Sequence, residues 1–406
     1  MNPKRLLGVF LTLVLAHAGT ASAQVTSSAE GLTLSETLGV LTRTAGSGAS
    51  GEAIALSTAL EVGTSPSGTS SAGFAYELDP ATGLQVRTAT TFGPAFADRV
   101  MTMGAGKVSA AANLSIATYD RLGDFDLNQM KLSAINGTTP ALTQAGYTSL
   151  VLSSQTMTLF GAIGASDKLD LSVAVPLVKV KLEGLSWVEN AARGVIQRAE
   201  GAGISSGLGD VALSAKYRLV RFAPGNPDPG GIAVLGTMRL PTGDRDNLRG
   251  LGLTRVLASL VFSSGRGRLR PHGNGGFEFW SDGIDVRSNL NDQAPTFVTA
   301  RHMVQYAGGV ELEATPKITL IADVIGRHIL GAGRVETQSL QVVDPRITSA
   351  EAVLALPKGI RKITLAPGLK WNLKGTMLLS VNALVPLFDQ GVHDKFTPVF
   401  GLDWTF

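Results

Sequence analysis

The sequence ends with FTPVFGLDWTF, residues 396–406, and this stretch decides the fold class. Its even-numbered positions carry Phe, Pro, Phe, Leu, Trp and Phe, whereas its odd-numbered positions carry Thr, Val, Gly, Asp and Thr. An alternation with a period of two residues is typical of a β-strand whose two faces meet different surroundings. The stretch therefore predicts a terminal strand with one aromatic, apolar face and one small or polar face.

The same alternation recurs upstream and predicts twelve strands. They lie near residues 107–119, 152–165, 167–178, 210–219, 231–241, 251–263, 268–280, 303–314, 316–329, 363–373, 376–387 and 396–406. An even number of strands is typical of bacterial single-chain barrels, which keep both termini in the periplasm. A count of 14 stays open, because residues 24–106 could add strands.

The connections between these strands alternate between long and short. The tight turns lie at residues 166–167, 315–316 and 373–375. The long connections, which we assign to the external side of a membrane, lie at residues 120–151, 179–209, 281–302 and 330–362. Transmembrane barrels have short periplasmic turns and longer external loops. A secreted sandwich has no reason to segregate its long loops in this way.

The composition agrees with a membrane barrel. The chain has 406 residues, no Cys and 17% charged residues, with a mean hydropathy of +0.20. Intrinsic disorder is excluded, because it needs low hydrophobicity and high charge, and a disulfide scaffold is excluded by the lack of Cys. A soluble β-sandwich or propeller is the alternative. Aromatic residues at strand ends, such as Trp280 and Trp371, and few charges on the polar faces favour an all-β, closed, antiparallel transmembrane β-barrel.

Residues 1–23 have the pattern of a secretory signal peptide. Lys4 and Arg5 precede an apolar run, residues 6–16, and Ala21-Ser22-Ala23 supplies small residues for cleavage. The run is too short to span a bilayer as a helix. Cleavage after residue 23 would lower the number of Lys and Arg residues from 35 to 33. Against 32 acidic residues, the mature chain would then have a net charge of about +1. This balance argues against a nucleic-acid partner, which needs a basic patch.

Residues 24–106 form a separate N-terminal segment before the barrel, which we assign to residues 107–406. A short apolar strand is predicted over residues 53–62, between Gly- and Ser-rich stretches, and a hairpin with its turn at residues 79–83. Strand parity places the start of the segment in the periplasm. We favour a segment that plugs the lumen; a mobile segment or added strands are the alternatives.

Alternation turns one set of charged residues towards the lumen. The predicted lumen-lining residues are Lys216, Arg218, Arg239, Arg255, Arg268, Arg270, His272, Glu278, Glu311, Glu313, Asp323, Arg327, Lys370 and Asp403, together with Asp170 and Asp210. They either form a selectivity lining or a network of ion pairs that fills a narrow barrel. Because acidic and basic residues nearly balance, we expect no strong selectivity between anions and cations.

No catalytic, cofactor or metal site is predicted. The histidines at positions 272, 302, 328 and 393 show no metal-ligand spacing, and His328 is placed on the lipid face. No GxSxG motif occurs. An outer-membrane lipid hydrolase stays open as a minor alternative.

Three segments carry a resemblance to a known family: GLGDVALSAKYRL (207–219), RLPTGD (239–244) and the C-terminal WNLKG…FGLDWTF. Together they resemble the phenol meta-pathway outer-membrane family, which is similar to the long-chain fatty-acid outer-membrane channels. The resemblance covers roughly residues 107–406. It implies an outer-membrane protein, in contact with membrane lipid, that passes small hydrophobic or aromatic molecules by passive or facilitated diffusion. It also implies that Trp404 and Phe406 form a C-terminal signal read by the barrel-assembly machinery, and it supplies no catalytic residues.

A second hypothesis is a closed, non-conducting barrel. Its long external loops would then have a structural or surface-recognition role. We take the barrel as a monomer in both cases.

Overall fold

The computed structural model describes residues 24–25, 31–66, 68, 73–78, 85–87, 89, 91–222, 230–265, 267–291 and 293–406. The predicted signal peptide, residues 1–23, and the predicted hairpin turn at residues 79–83 lie outside the described residues. The two short strands that flank this turn, Tyr76–Leu78 and Gln85–Arg87, pair antiparallel.

Twelve strands form the barrel wall, as predicted. They are β1 (Val108–Tyr119), β2 (Gln144–Ser166), β3 (Leu169–Asn190), β4 (Ala212–Arg221), β5 (Gly231–Arg239), β6 (Arg255–Ser263), β7 (Leu269–Trp280), β8 (Met303–Thr315), β9 (Ile318–Ile329), β10 (Ile360–Lys374), β11 (Met377–Asp389) and β12 (Thr397–Thr405). Each pairs antiparallel with the next, and β12 pairs with β1 from Val399↔Ser115 to Thr405↔Ser109. Closure leaves the wall without an open edge, which the interior of a bilayer requires.

The wall has the predicted two faces. In β6 the buried positions are Arg255, Leu257, Ser259, Val261 and Ser263, and every residue between them is exposed. The exposed residues of β6 are Val256, Ala258, Leu260 and Phe262. The exposed side is therefore apolar and suited to lipid, whereas charges such as Arg255 point inward.

The two ends of the barrel differ. At one end, called the turn end, neighbouring strands are joined by tight turns such as Gly375, whose φ of +58° suits a residue without a side chain. At the other, called the loop end, the long connections carry further strands. These are Arg121–Leu122, Phe125–Asp126, Met130–Gly137, Gly194–Leu208, Ile284–Arg287, Phe297–Ala300, Arg334–Ser339, Ile347–Leu356 and Val392–His393, with 3₁₀ turns at Leu127–Gln129 and Pro140–Leu142.

The described part of the N-terminal segment contains two helices: α1 (Leu34–Thr44) and α2 (Gly48–Thr64). Thr33 and Glu36 form a capping box that starts α1. The strand predicted over residues 53–62 is wrong, because these residues belong to α2. Ala53, Ile54 and Leu60 are fully buried, and a helix buried on nearly all sides has no polar stripe to reveal its period. Within the described ranges, no helix is long and apolar enough to cross a membrane.

The segment runs through the barrel from the loop end to the turn end. Gln24–Val25 pairs with Ile204 and Gly203 on the external strand Gly194–Leu208, and Gly106 donates its N–H to Gly164 O beside a tight turn, at 2.8 Å. The expectation that the segment starts in the periplasm is therefore wrong. The even number of strands fixes the end of the barrel at which β1 begins. A segment that traverses the lumen before β1 starts at the other end of the barrel.

We predict that Leu260→Arg strongly destabilises the barrel. Leu260 is 62% exposed on the outer face and pairs with Gly275 near mid-height. Arginine at the midplane should cost about 2–4 kcal/mol, whereas Leu269→Arg at the turn end should cost about 0–1 kcal/mol. Urea unfolding in lipid vesicles measures both. Equal effects at the two positions would contradict the membrane placement.

Candidate functional site

The barrel interior contains two groups of buried charges, and we call the first the loop-end cluster. Arg255 contacts Asp210 at 3.0 Å and Glu278 at 3.2 Å. Arg239 contacts the other oxygen of Glu278 at 3.4 Å, and Trp280 donates its indole N–H to Glu278 at 2.9 Å. Since Arg255 and Glu278 are fully buried, each of these charges depends on its partners.

The loop-end cluster continues across the barrel through helix α2. Glu61 lies 2.7 Å from Lys362 Nζ and 3.4 Å from Arg327. Lys362 also contacts Asp389 at 2.9 Å. Arg255 donates to the carbonyl of Gly63, at 2.9 Å. Charges from β6, β9 and β10 thus converge on the last turns of α2 and hold it inside the barrel.

The second group, the turn-end cluster, is centred on Asp323. His272 Nε2 lies 2.6 Å from Asp323 Oδ1, and His272 Nδ1 lies 3.5 Å from Glu311. The other oxygen of Asp323 accepts hydrogen bonds from the backbone N–H groups of residues 95, 96 and 97 at 3.2, 3.0 and 3.4 Å. Glu311 accepts from Gly93 N at 3.1 Å. The wall carboxylates therefore bind the main chain of the N-terminal segment.

Wall cations bind the carbonyl groups of the same segment. Lys370 donates to Phe92 O at 3.3 Å and to Pro94 O at 2.8 Å. Lys216 donates to Met101 O at 2.9 Å and lies 3.5 Å from Asp170, which accepts from Met103 N at 3.0 Å. Contacts from β3, β4, β8, β9 and β10 surround residues 92–103, so this part of the segment lies within the lumen.

These contacts explain how a narrow barrel can bury so many charges. Removing a charge from water is costly unless hydrogen bonds and opposite charges replace the lost hydration. Here the replacement comes partly from other wall residues and partly from backbone groups of residues 92–103. The inward charges therefore serve, in this arrangement, to hold the N-terminal segment.

The predicted lumen residues fall into three groups. Buried ones are Lys216, Arg255, Arg270, His272, Glu278, Glu311, Asp323, Arg327 and Lys370, with Asp170 and Asp210. Partly buried ones are Arg218, Arg239, Glu313 and Asp403. Arg268 departs from the expectation. It lies exposed beside the turn before β7 and donates to the carbonyls of Glu313 and Ala314, because β7 begins only at Leu269.

Sequence reasoning missed three charged residues of the loop-end cluster: Glu61, Lys362 and Asp389. Glu61 lies in the N-terminal segment, which lacks the period-two alternation of the strands. A single carboxylate in an apolar run is nevertheless a signal for an internal ion pair. Lys362 precedes the predicted start of its strand at residue 363, whereas β10 begins at Ile360. Asp389 follows the predicted end at residue 387, whereas β11 ends with it.

The four described histidines have different surroundings. His272 bonds to carboxylates, His302 accepts from Trp280 N, His328 lies by Tyr306 on the outer face, and His393 contacts Gly391 O. In the described part of the chain, no group of three or more metal-ligating side chains has the geometry to hold a metal ion.

A cavity of about 130 Å³ lies between the two clusters. Its apolar wall consists of inward side chains of the barrel and one aromatic ring of the N-terminal segment, namely Phe96, Phe160, Leu235, Leu257, Ala307 and Ile325. The polar part of the lining includes Arg239, Arg327, Asp98, Asn274 and Gln305 together with the hydroxyl groups of Thr64, Ser65, Ser214 and Thr237. The site is thus a small chamber, lined by both apolar and polar side chains, between two charged layers.

No protein-family model matches the chain, and no curated protein matches its sequence. Similar solved structures are outer-membrane proteins. The COG4313 outer membrane channel from Pseudomonas putida F1 is 14% identical over 74% of this chain and 96% of that one, with a TM-score of 0.44. A Pseudomonas aeruginosa FadL homologue is 13% identical over 85% and 98%, with a TM-score of 0.34. The Ralstonia pickettii toluene transporter TbuX is 10% identical over 75% and 90%, with a TM-score of 0.36. Such likenesses assign no substrate to this chain.

We predict that Asp323→Ala loosens residues 95–97. The substitution removes three hydrogen bonds to a charged acceptor, each worth about 1.5–3 kcal/mol. Amide hydrogen exchange at residues 95–97 should accelerate at least tenfold. Asp344→Ala, in an exposed loop, is the control and should leave that exchange unchanged. Unchanged exchange in Asp323→Ala would contradict the assigned role of this carboxylate.

We also predict that acid weakens the contact of α2 with the wall. Burial raises the pKa of Glu61, but Arg327 and Lys362 outweigh it and lower the pKa from 4.5 to about 2. A carboxyl group with a lowered pKa stabilises the folded state fully above its unfolded pKa, and this contribution is lost as the pH falls through about 2. Exchange protection of α2, corrected for intrinsic rates, should therefore fall below pH 4.5 but be equal at pH 7 and pH 6. A loss of protection between pH 7 and pH 6 would contradict it.

Proposed function

We propose that the protein is an outer-membrane channel that passes small hydrophobic or aromatic molecules by passive or facilitated diffusion. The observation that carries the proposal is a chamber of about 130 Å³ inside a lipid-facing barrel, with the apolar side chains of Phe96, Phe160, Leu257 and Ile325 in its lining. An apolar cavity of about 150 Å³ in a protein can hold a molecule of the size of benzene. The chamber is slightly smaller than that cavity, so its volume fits a single small ring better than a sugar or a peptide.

The charged layers on both sides of the chamber make passage selective in this proposal. Their acidic and basic groups are paired with each other or with the backbone of residues 92–103, so little net charge faces a permeating molecule. A hydrated ion would have to break these pairs, whereas a small neutral molecule needs only to move past the segment. The proposal therefore includes low ion conductance together with flux of neutral, apolar solutes.

One observation favours the second candidate, a barrel without transport. The N-terminal segment occupies the lumen at both clusters, and its backbone is bound on several sides. If it does not move, the molecule is a closed scaffold that presents the long external loops. Export through a cleaved signal peptide and recognition of Trp404 and Phe406 by the assembly machinery belong to both proposals.

The test measures flux of toluene into vesicles that contain the refolded protein and whose outer leaflet is lipopolysaccharide, which slows direct entry of apolar solutes. Ala307 lies on the chamber wall and is 7% exposed, so Ala307→Phe should fill the chamber and lower the flux at least fivefold. Overpacking should cost about 1–3 kcal/mol, which a stable barrel tolerates. The matched control is Ala258→Phe, the same change on the lipid face of β6, and it should retain the flux.

Two outcomes separate the candidates. Wild-type flux equal to that of empty vesicles would refute the channel and favour the closed scaffold. Wild-type flux that Ala307→Phe does not lower would refute the chamber as the route.

A further inference from the structure

A second cavity, of about 710 Å³, opens on the outside of the barrel at the loop end. It lies over the ends of β8, β9 and β10, and we call it the rim cavity. Val304, His328 and Arg361 form its floor, since the strand register makes them direct cross-strand neighbours on the outer face. Arg334, Lys358 and Gln390 complete its upper part.

The rim cavity is basic. Arg334, Lys358 and Arg361 carry three positive charges, and the carboxylate that pairs with this group is Glu336, at 2.8 Å from Arg334 and 3.1 Å from Lys358. Within the described chain, the exposed side chain of Arg361 forms no ion pair. The site therefore holds about two uncompensated positive charges and a guanidinium group that can bind an anion through two parallel hydrogen bonds.

An apolar wall continues from the rim cavity towards the turn end. Val304, Tyr306, Val310 and Leu312 lie along the outer face of β8, and each is 36–40% exposed. Tyr306 stacks on His328 with ring centroids 5.7 Å apart. Aromatic residues of this kind mark the level where headgroups meet acyl chains. The cavity thus combines a basic group of side chains at headgroup level with an apolar surface below it.

We propose that the rim cavity binds the phosphate headgroup of a phosphorylated, multiply acylated glycolipid of the outer leaflet. The phosphate lies against Arg361 and Lys358, and the acyl chains lie along β8. Charge complementarity selects an anionic lipid over a neutral one, and the apolar wall selects a lipid over free phosphate. The site lies outside the lumen, so this binding does not depend on whether the barrel conducts.

The first experiment uses the wild-type protein in zwitterionic nanodiscs. Native mass spectrometry compares binding of diphosphorylated lipid A with that of its dephosphorylated form. We expect at least tenfold tighter binding of the phosphorylated lipid, and 10 mM inorganic phosphate should not displace it. Equal binding of the two lipids would overturn the proposal. Displacement by inorganic phosphate would overturn the assignment to a lipid.

The second experiment uses Lys358→Gln/Arg361→Gln. Both side chains are exposed, so the barrel should fold, and binding of diphosphorylated lipid A should weaken at least tenfold. The control, Arg121→Gln/Lys131→Gln, removes two exposed charges elsewhere at the loop end and should stay within twofold of wild type. Unchanged binding in the first variant, or equal weakening in both, would overturn the site.

Discussion

The carboxylate of Asp323 binds three consecutive backbone amides of a segment that precedes the whole barrel in sequence, and the interior depends on contacts of this kind. A wall that turns charges inward needs partners for them, because an unpaired buried charge is strongly destabilising. A segment with main-chain donors and acceptors can supply those partners. The inward charges of the wall and the polypeptide in the lumen therefore stabilise each other.

The outer face follows the opposite requirement. Lipid offers no partner for a charge or for a free backbone group, so the wall closes β12 on β1 and exposes apolar side chains. Alternation at period two lets every strand meet both requirements. Charged and polar groups on the outside appear near the loop end, where Arg361 and His328 lie close to Tyr306 and above Val310.

Sequence patterns predicted the wall well, because each strand has two distinct environments that leave a signal at period two. The strand number, the order of short and long connections and the inward direction of Arg255 follow from that signal. Helix α2 left no such signal, because its residues are apolar on nearly all sides, as at Ala53, Ile54 and Leu60. A short apolar run cannot be assigned to helix or strand from periodicity alone.

The functional interior was less predictable than the wall. Alternation places a side chain inside but does not identify its partner, and the partners of Lys370 and Lys216 are carbonyl groups that have no sequence signature. The position of the start of the N-terminal segment was also predicted wrongly. An even number of strands fixes the end of the barrel at which β1 begins, but it does not fix the path of the chain before β1.

The way the segment is held bears on how the lumen could open. Apolar packing between Phe96 and its neighbours, such as Ala307, would weaken gradually as the segment shifts. The hydrogen bonds at Asp323 and Lys370 instead require specific distances and would break together, leaving buried charges on the wall without partners. Full withdrawal of the segment is therefore costly unless water enters to hydrate those charges. A small molecule that fits the chamber requires no such withdrawal. In the proposed channel, small solutes would therefore move past a retained segment and not through a wide pore.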